Sequence, residues 1–362
     1  MARATITLSR SALLKNYQIL SLKVPGQKLL PMVKANAYGH DANFVARSLL
    51  GQKNLHGFGV ATFLEGVNLR KYIKSPGVPI LVFSDSSPWN EECARISTKY
   101  KLEPVLSEIT SLLSFQSTRA AKKLKAHVEI NSGMNRLGVP ADSLALLSFQ
   151  PASIFTHLAD ADRPQSQLTR KQMKCFSEVV KEARLRFPDS LLHFANSSGI
   201  FNQKAFELSV HMHLARPGIS LYGIRPFASA KESGLKRVMS FRAPIINRIH
   251  LSLGDRVGYG GTYLCKKPEG EWISIIAAGY ADGVFRSLSS CGIATFKKKK
   301  FNLLGRVSMD LSAMQGHASL KIGDQVELWG DSIDPYEQAD LAHTVPYELT
   351  TRMGERVEKY YE

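Results

Sequence analysis

Lys34 directly follows the apolar run LLPMV (29–33), so a buried strand would fix its tether and leave the amine in a partly desolvated setting. Such a setting lowers an amine's pKa and suits it to Schiff-base chemistry with a carbonyl compound. A strand-end lysine can also simply carry its charge to water along an apolar stem, and Lys34 taken alone reads either way. Other polar residues sit at the ends of other apolar runs: Asn36, Tyr38 and His40 after the first, Asn131, Arg136 and Gly138 after AHVEI, and His157 in SIFTHL. Asn196, Ser197 and Ser198 follow LLHFA, and Arg216 and Gly218 follow HMHLA. Ser197-Ser198-Gly199 and Arg216-Pro217-Gly218 set hydroxyls and glycine-exposed N–H groups where a phosphate could bind, although turn capping explains either one alone. His211 and His213 share one strand face, but without a nearby carboxylate no metal site is expected.

These residues have in common the elements that end at them. Between residues 28 and 223 lie eight short apolar runs: LLPMV, GFGVA, PILVFS, LEPVLS, AHVEI, SIFTHL, LLHFA and HMHLA. Segments with helical spacing separate them, among them SALLKNYQIL, EGVNLRKYI, SEITSLLSFQ and QLTRKQMKCFSEVVKEARLRF. Strand then helix, eight times, predicts an α/β fold with an N-terminal (β/α)8 barrel over residues 1–228, whose active rim is the C-terminal end of the strands. Every polar residue named above would then face one rim.

After PFASAKESGLKRV the texture changes to short strands and turns, predicting a mostly-β domain over 229–362. LSLGDRVGYG and LKIGDQVELWG repeat a Gly-Asp placed to turn one strand into the next. The 47 basic against 31 acidic residues give +16, but they are scattered, and the dense run Lys297–Lys300 reads as a solvated hairpin tip. Nucleic acid is therefore not expected as a partner; the charge suits anionic small molecules. The four cysteines are widely spaced, the N-terminus lacks a secretory pattern and no apolar run is long enough to span a membrane, so a cytoplasmic location is expected.

The stretch MVKANAYGH around Lys34 resembles the cofactor-attachment signature of alanine racemases. The resemblance continues in order through NSGMNRLGVP, THLADAD, HFANSSG, ARPGISLYG, VGYGGTY, GYADG, GRVSMD and PYE, across nearly the whole chain. It implies pyridoxal 5'-phosphate carried on Lys34 and a two-base racemisation of alanine, with Lys34 acting on the D face and Tyr259 on the L face. A tyrosine has a reference pKa of about 10 and needs cationic help as a base; His157, next to Arg216, matches the residue that hydrogen-bonds it. Arg216 would face the pyridine nitrogen, and Arg136 the phenolic oxygen and the substrate carboxylate, assisted by the Met309 N–H. Asn196 is carried over as a further cofactor contact. Phosphate contacts carry over to Tyr38, Ser197, Gly218, Ile219 and Tyr347. Tyr280, Asp162, Arg286 and Arg306 match a substrate corridor, although Tyr280 by itself reads equally as a strand aromatic. Tyr259 and Met309 belong to the β domain and, in the family, reach the site from the partner subunit of a homodimer. The expected role is D-alanine supply for peptidoglycan.

Two departures stand out. Glu129 occupies a position where many family members carry a carbamylated lysine, so it is expected to orient Arg136 unmodified, with water filling the shorter reach. Asp41 replaces the last glycine of KANAYGHG, for which a local backbone change is expected. A racemase of broader or serine specificity, a decarboxylase on the same architecture and a non-enzymatic pyridoxal-phosphate carrier stay open as alternatives; the second domain argues against the last.

Overall fold

The computed structural model describes residues 3–119, 123–206, 212–230 and 233–362, and they form two compact units. The first strand of the chain is β1 (Thr5–Leu8). Next along the chain come β2 (Lys28–Leu29), β3 (Phe58–Val60), β4 (Ile80–Val82), β5 (Glu103–Leu106), β6 (His127–Ile130), β7 (Ser153–Thr156), β8 (Leu191–His193) and β9 (Leu214–Ala215). The strands β2 to β9 coincide with the eight apolar runs.

β3 to β8 make one parallel sheet in sequence order, and β2 pairs in parallel with β9. Backbone hydrogen bonds close the ring on both sides. Val33 N donates to Gly59 O at 2.8 Å and Gly59 N to Pro31 O at 2.9 Å, while His213 N reaches Leu192 O at 2.9 Å and Arg216 N reaches Ala195 O at 2.8 Å. Among the described residues no barrel edge is left unpaired, which is the gain from closure. Helices flank the strands as the spacing predicts: Arg10–Lys23, Phe63–Ile73, Ile109–Ser117 and Gln167–Arg186. The last of these buries Phe176, Val179, Val180 and Ala183, the 3.6-residue stripe of a helix packed on a sheet.

The second unit is built on β10 (Met239–Leu251), β11 (Arg256–Val257), β12 (Tyr263–Leu264), β13 (Glu271–Ile276), β14 (Ile293–Phe296), β15 (Lys299–Leu304), β16 (Ser312–Gln315), β17 (Gln325–Trp329) and β18 (Glu358–Tyr361). Its sheet runs β13-β16-β15-β14-β17-β10-β1-β18, and β10 pairs again with β13, so a six-stranded ring closes. A register shift between Ile245 and Asn247 lets the one long strand β10 serve both β17 and β13. Leu251, Val257, Cys265, Ile273, Leu304 and Ala313 pack one cluster of its core.

The membership of β1 corrects the division at residue 228. Its alternating TITL buries Ile6 and Leu8, and it pairs antiparallel with β10 and parallel with β18. The start of the chain therefore belongs to the β-rich unit. Both Gly-Asp turns form as expected, with Gly254 and Gly323 at φ 93° and 95° and Asp255 and Asp324 each accepting from the backbone N–H three residues earlier. No helix among the described residues is long and apolar enough to cross a membrane.

The lysine run is the tip of the β14–β15 hairpin, with Lys297 and Lys298 both left-handed at φ 48° and 66°. Each non-glycine residue in that region costs roughly 1 kcal/mol, and Asn-Gly is the preferred pair for such a turn. The double substitution Lys297→Asn/Lys298→Gly is expected to raise the unfolding free energy by about 1 kcal/mol. Denaturant melts check this; an unchanged or lower midpoint would show that the turn carries no strain.

Candidate active site

Lys34 stands just past β2 and opens an unusual segment: Ala35, Asn36, Ala37 and Tyr38 all lie in the left-handed region, at φ between 50° and 56°. Four such residues in a row need outside support. Glu65 supplies it. Its Oε1 accepts from Ala35 N at 2.7 Å, while Oε2 accepts from Ala61 N at 2.7 Å and completes a capping box with Thr62 at the start of helix Phe63–Ile73. Asn36 Oδ1 accepts from Ala42 N at 2.9 Å on the far side of the turn. Burial lowers the Lys34 pKa, Arg136 and Arg216 lower it further, and Glu65 and Glu129 oppose them. An amine so placed has a larger neutral fraction, the form that acts as nucleophile or base.

Arg216 follows β9 and is buried, 3% exposed. Its guanidinium donates to Thr156 O at 2.8 Å, to Phe194 O at 3.1 Å and to His193 Nδ1, and its Cζ lies 4.8 Å above the Phe155 ring. Burial lowers its pKa to about 10, so it stays protonated at neutral pH. His157 Nδ1 is 3.5 Å from Arg216, and His157 Nε2 is 3.5 Å from Asn196 Nδ2. Burial and then Arg216 depress the His157 pKa to about 3, so the ring is neutral.

Glu129 projects from β6 among Lys34, Arg136 and Arg216; burial raises its carboxyl, against the pull of those three cations. Among the described residues it forms no ion pair within 4.0 Å, so the exposed Arg136 acts on its carboxyl through the field rather than by contact. Arg136 itself rides on a loop tied by Asn131, whose Oδ1 accepts from Gly133 N at 3.0 Å and Asn135 N at 3.1 Å. Gly138 brings that loop back onto β6 at φ 108°, where a Cβ would come within 2.4 Å of Asn131 N.

On the same rim Ser197 Oγ accepts from Gly218 N at 3.0 Å and from Ser220 N at 3.3 Å. A Cβ on Gly218 would stand 2.7 Å from Tyr38 Oη, so glycine is what lets that phenol approach the backbone. Ser220 Oγ is buried with no hydrogen-bond partner among the described residues. Two hydroxyls, a phenol and the N–H groups opening the turn Ile219–Tyr222 form a small donor-rich cradle fit for a phosphate. Asn196 caps helix Ser197–Phe201 through Gly199 N at 3.0 Å. Asp162 lies exposed on the loop after β7, where Asn202 Nδ2 reaches its carbonyl at 3.4 Å.

The other expected residues belong to the β-rich unit. Tyr259 is 72% exposed at the tip after β11, and with Arg306 it lines a cavity of about 590 Å³. Gly260, at φ 71°, lets the Arg306 guanidinium approach. Tyr280 and Arg286 line a second hollow. Tyr280 N donates to Ser308 O and Ala281 N to Met309 O, so the GYADG and GRVSMD segments form one bonded pair of loops. Buried Asp282 fixes that pair through Gly279 N at 2.9 Å and a bidentate contact with Arg356. Tyr347 is half-exposed on helix Pro346–Thr351. His213 bonds Leu192 N and Arg184, and His211 lies outside the described residues.

The model of the alanine racemase N-terminal domain matches residues 8–226 and that of the C-terminal domain residues 238–361. The chain belongs to the alanine racemase family. It is 33% identical to the catabolic alanine racemase of Agrobacterium fabrum over 99% of this chain and 92% of that protein. Two solved structures are similar over the full length of both chains, each with a TM-score of 0.88: the biosynthetic alanine racemase of Pseudomonas aeruginosa at 30% identity, and the alanine racemase of Bartonella henselae, with covalently bound pyridoxal phosphate, at 27%. Membership of this family makes the chain an isomerase on a barrel plus β-rich fold.

Within this alanine racemase fold, sequence reasoning missed Glu65 and His193. Glu65 was signalled by the T-x-x-E capping pattern, and His193 by its place in HFANSSG, two residues from Ala195 on the same strand face. Asp41 accounts for its own departure. It keeps a glycine-like φ of 63° and offsets the strain by capping helix Ala42–Leu49 through Asn43 N and Phe44 N.

A neutral His157 links stability to pH. Its folded pKa, about 3, lies below the ordinary 6.5, so as pH falls through 6.5 the unfolded chain takes up a proton that the native ring refuses. Its contribution is a loss of stability on acidification, at most about 1.4 kcal/mol per pH unit, ending near the folded pKa. His157→Gln is expected to lose less stability than the parent between pH 7 and pH 5 in urea melts. Parallel losses would mean that His157 is protonated in the native state.

Proposed function

We propose that the chain interconverts L- and D-alanine with Lys34 and Tyr259 as its two proton-transfer groups and pyridoxal 5'-phosphate held in the barrel mouth. The observation that carries this reading is the grouping on one rim of a lysine whose pKa burial lowers, a buried cation and a donor-rich cradle. Lys34 would hold the cofactor through its amine. Tyr38, Ser197, Gly218 and Ile219 would hold its phosphate together with Tyr347, Arg216 would face the ring nitrogen, and Asn196 would add a ring contact. When bound, the cofactor supplies an electron sink for the charge left as the Cα proton departs.

The protein's own groups do the rest. Lys34 Nζ, with its lowered pKa, takes and returns a proton at one face of the substrate Cα, and Tyr259 Oη does so at the other. His157 serves as the neutral hydrogen-bond partner for that phenol. Arg216, a permanent donor, would keep the ring nitrogen of the bound cofactor from being protonated and so restrain side reactions. Arg136 and the Met309 N–H orient the substrate carboxylate, and Tyr280, Asp162, Arg286 and Arg306 line its approach.

Exposure of Tyr259 at 72% and of Met309 at 52% supports a homodimer in which each β-rich unit completes the other chain's site. The location is read as cytoplasmic, consistent with four free cysteines, and the role as D-alanine supply for peptidoglycan. A deletion strain should then need D-alanine to grow. Mixing tests the sharing of sites. Lys34→Ala and Tyr259→Phe proteins, each inactive alone, should recover roughly a quarter of parental activity when unfolded and reassembled together, since half the dimers then hold one intact site. No recovery, with mixed dimers demonstrated, would place both groups in one chain's site.

A further inference from the structure

The interior of a (β/α)8 barrel is usually filled by branched apolar side chains. Here a polar thread passes through it. Arg216 donates to His193 Nδ1; His193 Nε2 lies 3.0 Å from Ser153 Oγ; Ser153 Oγ lies 2.7 Å from His127 Nδ1; and His127 Nε2 lies 2.9 Å from Glu103 Oε2. Arg216 sits at the C-terminal mouth, while Ser153, His127 and Glu103 are the first residues of β7, β6 and β5, at the opposite end. His193 and Ser153 are fully buried, and His127 is 1% exposed.

The Arg216 end of the thread dictates the proton on His193. A guanidinium can only donate, so His193 Nδ1 accepts and its proton resides on Nε2. That N–H donates to Ser153 Oγ, whose single O–H can in turn donate to His127 Nδ1. His127 Nε2–H then donates to the Glu103 carboxylate, which can only accept when ionised. The reverse direction would set an N–H of His193 against an N–H of Arg216. Burial alone would raise the Glu103 pKa, but the His127 hydrogen bond and the nearby Lys125 leave it lowered, so the acceptor end is charged. Phe155 locks the middle, with its ring stacked on His193 at 4.5 Å and 9° and lying under the Arg216 guanidinium.

We propose that Ser153 and His127, anchored on Glu103, are positioning residues that hold His193 in its Nε2–H tautomer and so fix the Arg216 guanidinium across the barrel mouth. This rests on the reading of Arg216 as the residue facing the cofactor ring. Removing the Ser153 hydroxyl interrupts the thread at its midpoint with the least change in volume. Glu103→Gln keeps an acceptor for His127 and removes only the charge.

The test uses the full-length protein with 15N-labelled histidine, with and without pyridoxal phosphate. The parent is expected to show His193 protonated on Nε2 alone. Ser153→Ala should shift or broaden that signal even without cofactor, and in the loaded enzyme should lower kcat by about ten- to a hundredfold with little change in the alanine KM. Glu103→Gln should keep the tautomer and lose less activity. If Ser153→Ala folds, as circular dichroism would report, and leaves both the His193 nitrogens and kcat untouched, the thread is mere packing and the proposal fails. If Ser153→Ala does not fold, an unchanged His193 tautomer alongside a kcat loss in Glu103→Gln supports it, and an unchanged kcat overturns it. A parent protein that never exchanges the Cα proton of alanine, yet shows the His193 tautomer and the altered His193 signal in Ser153→Ala, would refute the functional reading and leave the thread standing.

Discussion

Everything at the barrel mouth is arranged around a buried cation. Withdrawing a guanidinium from water costs several kcal/mol unless its donors find partners. Arg216 finds them in Thr156 O on β7, Phe194 O just past β8 and His193 Nδ1, with the Phe155 face against its flat side. These contacts tie the loop after β9 to the ends of the two preceding strands. They also place a fixed positive charge beside Lys34, Glu129 and His157; burial sets the direction in which each is shifted, and that charge adds to the lowering of His157 and Lys34 while it opposes the raising of Glu129.

The lysine is controlled from the other side of the ring. Its four left-handed successors are costly conformations, and the carboxylate of Glu65 ties their start to the first turn of a helix two elements away. Asp41 closes the segment by combining a left-handed backbone with a helix cap. Strain near a reacting group is thus held by hydrogen bonds from rigid elements, which is how a short tether comes to aim its amine reproducibly. The β-rich unit obeys the same logic: buried Asp282, paired with the exposed Arg356, fixes the loops that carry Tyr280 and Met309.

Much of this could be read from the chain alone, because local pattern determined it. The eight barrel strands are apolar runs bounded by turn residues, and the Gly-Asp turns and the Lys297–Lys298 hairpin tip each have a local cause. What escaped depends on partners far apart in sequence. β1 looks like a lead-in to the barrel until it meets β10, more than 230 residues on. The thread from Arg216 to Glu103 spans five elements whose polar residues, taken singly, read as isolated interior positions. Glu129 is visible in the sequence as an encoded carboxylate near cationic residues, but its separation from Arg136 is set by strand geometry. The roles of Tyr259 and Met309 came from resemblance, not from residue pattern.

The most direct measurement is solvent-deuterium exchange at the alanine Cα, monitored separately from the L and the D enantiomer in the Tyr259→Phe enzyme. Exchange from L-alanine is expected to collapse while exchange from D-alanine, served by Lys34, persists. Equal loss from both enantiomers, or none from either, would contradict the assignment of one proton-transfer group to each face.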